Sequence, residues 1–140
     1  MATVNNAAVI KRLSILIADS KSYTRSLLRS MLLQLGVKSI YEISDGAAAL
    51  DAIRNLSPDM VIVDWDVPVL SVQDVLRMAR TPGVLPNPRV PIIVISSSGQ
   101  SEYVREAIKL GAQQFLVRPF SPKILEQRLR GVVTEAWKAA

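Results

Sequence analysis

Four short apolar, β-rich runs in this chain each stop at a polar side chain, and that recurrence restricts the fold more than any other feature. The runs are Ile15-Leu-Ile-Ala18 before Asp19, Met60-Val-Ile-Val63 before Asp64, Pro91-Ile-Ile-Val-Ile95 before Ser96, and Phe115-Leu-Val117 before Arg118. Uninterrupted apolar runs of this length suit strands covered on both faces, which is the condition of a parallel sheet. A helical period lies between them. Tyr23, Leu27, Leu28, Met31, Leu32 and Leu35 share one face of a helix over 21–35, and Gly36 can stop it. Residues 37–43 read as a further, more alternating strand, followed by the turn Ser44-Asp45-Gly46 and an alanine-rich helix over 47–56. A helix near 71–80 leads into a proline-rich connector over 81–89 that cannot be helical. Another helix is expected near 100–110, stopped by Gly111. The last opens at Ser121-Pro122, with Leu125, Leu129, Val132, Val133 and Ala136 as its core stripe.

Five strands alternating with five helices make a doubly wound parallel α/β sheet with right-handed crossovers. Ligands of such sheets bind outside the carboxyl ends of the strands at the switch point, so Asp19, Asp64, Ser96 and Arg118 are expected to meet at one edge. With 140 residues, 49% of them apolar, one domain with one substantial core is expected over 12–140, preceded by a flexible polar tail over 1–11.

The chain has no cysteine and no histidine. That excludes disulfides, thiolate metal sites and the usual general base, and any phosphohistidine chemistry must use a partner's histidine. No run is long enough to cross a bilayer, so a cytoplasmic protein without a membrane partner is expected. The net charge of +5 is uneven: residues 1–102 carry ten Lys/Arg against nine Asp/Glu, whereas 103–140 carry seven against three. Such a basic segment suits an acidic partner surface; nucleic acid is disfavoured because no recognition motif or aromatic-basic interleaving accompanies it.

Clustered carboxylates repel unless a cation neutralises them, and Asp19 with Asp64 suits a hard oxygen-ligand site for Mg²⁺. Asp64 is then placed as a nucleophile able to form an aspartyl phosphate, with Ser96 donating to the phosphoryl oxygens and Arg118 pairing with them.

In these residues the chain resembles the receiver domains of two-component response regulators, over roughly 12–131, and most of all the single-domain chemotaxis type. Asp19-Ser20 matches the acidic pair, Val63-Asp64-Trp65 the phosphoacceptor, Pro68 the loop proline, Ser96 the switch hydroxyl, Phe115 the switch aromatic and Arg118-Pro119-Phe120 the Lys-Pro-Phe position. The resemblance implies a flavodoxin-like five-stranded sheet in the order 2-1-3-4-5. It also implies phosphorylation of Asp64 by a sensor histidine kinase or phosphotransfer protein, and Mg²⁺ held by Asp19, Asp64 and the backbone carbonyl of Asp66. Output would be noncovalent docking to a downstream protein, through a surface near the helix at 100–110, the fifth strand and the last helix, which is also the candidate homodimer face. Phosphorylation would draw Ser96 inward and let Phe115 follow. No enzymatic turnover is implied beyond self-phosphorylation and self-dephosphorylation.

Three departures matter. Ser20 replaces the second acid of the pair, leaving it at most a weak or water-mediated metal contact, although the Asp66 side chain is within reach to restore the charge. Arg118 replaces lysine, and a planar fork is not equivalent to a point charge. The usual glycine shortly after the loop proline is also missing from Pro68-Val-Leu-Ser-Val-Gln. A phosphorylation-independent docking module therefore stays open as an alternative. A remoter one is a haloacid-dehalogenase-type phosphatase built on Asp64-Trp-Asp66, which would need a late acid, and after Arg118 only Glu126 and Glu135 are present.

Overall fold

The computed structural model describes residues 6–139, with side chains described over 8–133. Five parallel strands, β1 (Ser14–Ala18), β2 (Ser39–Ile43), β3 (Met60–Asp64), β4 (Ile92–Ser96) and β5 (Gln114–Val117), form one sheet in the order β2-β1-β3-β4-β5. The doubly wound 2-1-3-4-5 arrangement is thus the observed one. Among the described residues six helices connect or flank the strands: α1 (Asn6–Arg12), α2 (Ser22–Gln34), α3 (Gly46–Leu56), α4 (Val72–Arg80), α5 (Ser101–Lys109) and α6 (Pro122–Ala139).

Every residue of β3 and β4 is buried, because alternate side chains enter two separate apolar layers. Leu16, Ala18, Val61, Val63, Ile92 and Val94 pack under α3, α4 and α5, whereas Ile15, Ile17, Ile62, Ile93, Ile95 and Leu116 pack under α1, α2 and α6. The helices start on side-chain caps where the sequence supplies them. Asp45 accepts from the Ala48 amide at 2.7 Å, and Ser71 accepts from the Asp74 amide at 3.1 Å.

Three sequence expectations are corrected. The segment read as a tail over 1–11 is helical from Asn6 onward, and Ile10 and Leu13 are buried in the layer that also holds Leu129, Val132 and Val133 of α6. Residues 1–5 lie outside the described part. The fourth strand starts at Ile92 rather than at Pro91, where the apolar run begins, since Pro91 has no amide hydrogen for the ladder. On α2 the buried stripe is Leu28 and Leu32; Tyr23 and Leu27 are exposed. Ala136 lies outside the described side chains.

On the edge opposite the strand carboxyl ends, Arg80 ties the loops preceding β4 and β5 together. Its guanidinium donates to the carbonyls of Val90 at 2.7 Å, Pro88 at 3.0 Å and Gly111 at 2.7 and 3.1 Å, and to Gln113 Oε1 at 3.0 Å. All these acceptors are neutral, and burial pushes the Arg80 pKa below its ordinary value. Arg80→Lys keeps the charge but loses most of the fork, so it should lower unfolding free energy by about 1.5 kcal/mol in urea titrations. An unchanged midpoint would show that the fork contributes only packing.

Candidate functional site

The backbone ladder continues one residue past the strands and so sets the site. The Asp19 amide donates to the Ile43 carbonyl at 3.0 Å, Trp65 to Ile95 at 2.8 Å, and Arg118 to Ser96 at 2.8 Å. Asp19, Asp64, Ser96 and Arg118 therefore leave neighbouring strands at the same edge. Asp19, Asp64 and Ser96 are the buried polar or charged residues among the described ones, at 0, 2 and 2% exposure. Buried polar groups must be satisfied locally, and here all three lie at one edge of the sheet.

Arg118 brings the two acids together. Its Nη1 donates to Asp64 Oδ1 at 2.6 Å and its Nη2 to Asp19 Oδ2 at 3.0 Å, with the guanidinium side chain itself mostly buried. The remaining carboxylate oxygens are also engaged. Asp19 Oδ1 accepts the Lys21 amide at 3.0 Å, Asp19 Oδ2 also accepts the Thr24 hydroxyl, and Asp64 Oδ2 accepts the Asp66 amide at 3.0 Å. Arg25 caps the same end by donating to the Asp19 carbonyl at 2.7 Å. Ser96 Oγ accepts the Ser98 amide at 3.0 Å. The Arg118–Pro119 peptide is cis.

Sequence reasoning did not single out Thr24, Trp65 or Tyr103. Thr24 opens α2 five residues after Asp19, so its hydroxyl meets the carboxylate across the β1–α2 loop. Trp65 stacks on Tyr103 of α5, ring centres 4.6 Å apart at 17°, and meets Phe115 at 6.1 Å and 60°. Its position directly after Asp64 was the available signal. Phe115 is buried in the layer under α3, α4 and α5 and packs against Trp65.

Ser20 and Asp66 are both exposed, and Asp66 reaches Asp64 through its backbone amide. The described residues contain no group of three or more acids able to hold a metal ion. Mg²⁺ requires near-octahedral oxygen coordination, and here two carboxylates already share a guanidinium while the third family ligand is a neutral serine. This donor set does not fit a dedicated magnesium site.

Next to the site, Val69 holds a φ of 72° and is 82% exposed, so a β-branched residue sits in left-handed backbone with no packing to compensate. Val69→Gly should raise stability by about 1 kcal/mol, a melting shift of about 2–4 °C by calorimetry. A lower melting temperature would show that the loop is not strained.

The sequence pattern of the response regulator receiver domain matches residues 15–130. The chain belongs to the response regulator receiver family. This receiver is similar in sequence to the chemotaxis protein CheY-3 of Vibrio cholerae, 29% identical over 88% of this chain and 93% of that one. It is also 31% identical to the chemotaxis protein CheY of Thermotoga maritima, over 84% of this chain and 95% of its relative. In fold it matches the receiver domain of a Pseudomonas aeruginosa sensor histidine kinase, solved with a magnesium ion coordinated in its active site cleft. That match has a TM-score of 0.78 and 23% identity, over 87% of this chain and 98% of that chain. Membership of the family sets aside the phosphatase reading; of its two candidate late acids, Glu126 is ion-paired with Arg130 on α6, and Glu135 lies outside the described side chains. No helix among the described residues is long and apolar enough to cross a membrane.

Proposed function

We propose that this receiver accepts a phosphoryl group on Asp64 from the phosphohistidine of a sensor kinase or phosphotransfer protein, and signals by noncovalent docking to a protein target. The observation that supports this most is the burial of Asp64 at the end of the central strand, with Asp19 and Ser96 on the flanking strands and Arg118 bonded to its Oδ1. In the transfer an Asp64 oxygen attacks phosphorus, the phosphorus–nitrogen bond breaks, and the departing imidazole takes its proton from solvent. Arg118 Nη1 exchanges the carboxylate for the phosphoryl oxygens, where charge accumulates, and the Ser96 hydroxyl turns to donate to the same oxygens. The chain turns over no other substrate; at most it phosphorylates and dephosphorylates itself.

Intact mass after incubation with phosphoramidate tests the reading. One phosphoryl group on the natural chain, and none on Asp64→Asn, is the expected result. A chain that stays unmodified would leave the phosphorylation-independent docking module, which the engagement of both Asp64 oxygens and the neutral Ser20 favour.

The output surface is proposed to be α5, β5 and α6, where Arg105, Lys109, Lys123 and Arg128 are exposed. An acidic partner would be steered there, and the attraction would be screened over about 8 Å at physiological salt. Reversing these four charges should slow association by roughly tenfold or more, measured by surface plasmon resonance, while phosphoramidate labelling is unchanged. Equal association rates would mark the basic face as merely solvated.

A further inference from the structure

We propose that the guanidinium of Arg118 is the resident cation of the Asp19–Asp64 pocket, supplying the charge balance that a divalent ion would otherwise supply, so that metal enters only by displacing the Arg118 fork. This goes beyond the phosphoacceptor reading, concerns the pocket with both carboxylates unmodified, and does not depend on Asp64 being the phosphoacceptor. Two carboxylates with side-chain exposures of 0 and 3% face the same edge and require a cation. Arginine is always protonated, and its rigid fork can reach both acids at once, whereas an ammonium is a single point charge. The fork is held from behind: the Arg118 amide is fixed on the Ser96 carbonyl at 2.8 Å, and its side chain borders a groove lined by Thr24, Leu28 and Phe120. The acids are pre-set from the other side by the Lys21 amide, the Thr24 hydroxyl and the Asp66 amide. With Ser20 neutral and exposed, no third acid among the described residues joins Asp19 and Asp64 to draw a divalent ion past the guanidinium.

MgCl₂ alone is the probe, read by calorimetric titration and by the melting temperature in chelator and in millimolar Mg²⁺. The natural chain should melt at the same temperature in both. Arg118→Ala should melt lower in chelator, recover with Mg²⁺, and bind Mg²⁺ at least about tenfold more tightly than the natural chain. Arg118→Lys, which keeps the charge and the fold but not the fork, should bind it several-fold more tightly and keeps the test open if the alanine variant does not fold. The proposal is overturned if the natural chain binds Mg²⁺ as tightly as either variant, or if Arg118→Ala folds and gains nothing from the metal. None of these readouts depends on phosphorylation, so their failure is separate from failure of Asp64 to label.

Discussion

Arg118→Met is expected to lower the unfolding free energy by about 3–5 kcal/mol, a large part of the stability of a domain of this size. Methionine retains most of the apolar stem, so the loss isolates the charge. Without the fork, Asp64 loses the 2.6 Å partner of its Oδ1 and Asp19 loses one of three donors, while both carboxylates stay buried and face each other. Breaking a buried pair from one side is costly because the uncompensated charge remains. Adding Asp64→Asn to Arg118→Met should recover part of the loss, since only one buried carboxylate is left. Urea unfolding of the two single variants and the double variant measures the coupling; additive effects would mean that the ion pair contributes little.

Gly46→Ala should also be severe, at about 3 kcal/mol, although the site is on a helix where alanine is intrinsically favoured. A Cβ at Gly46 would lie 2.0 Å from the Leu70 carbonyl oxygen, a backbone atom, and the Gly46 amide already donates to the Pro68 carbonyl at 2.9 Å. Either α3 or the loop after β3 must move. That loop carries Asp66 and Pro68, so phosphoramidate labelling of Asp64 should slow along with the loss of stability. A stable Gly46→Ala variant that labels normally would show that α3 and the loop do not need this close approach.

The strand ends were legible because a strand buried on both faces has no reason to carry a polar residue until it leaves the sheet. Asp19, Asp64, Ser96 and Arg118 stood out for that reason, and parallel pairing then brought them together. What was not legible depends on distances between elements. The double ion pair of Arg118 needs β5 to end two strands away from β3 with the fork turned back across Ser96, which no spacing in the sequence encodes. Helix α1 is only seven residues long, and its apolar Ala8-Val9-Ile10 has value only because α6 offers a surface for Ile10. For the same reason Tyr23 and Leu27 matched the helical period of α2 yet stay exposed: periodicity selects a face, but the neighbouring elements decide how much of it is covered. The departures at Ser20 and Arg118 were visible as letters, and only the structure joins them, one removing a negative charge and the other placing a positive one between the acids that remain.

The central claim, that Asp64 is the phosphoacceptor, is tested most directly by borohydride reduction of the phosphoramidate-treated chain, which converts an aspartyl phosphate to homoserine, followed by peptide mass mapping. Homoserine at position 64 alone is the predicted result; homoserine at position 19 or 66, or at no position, would contradict it.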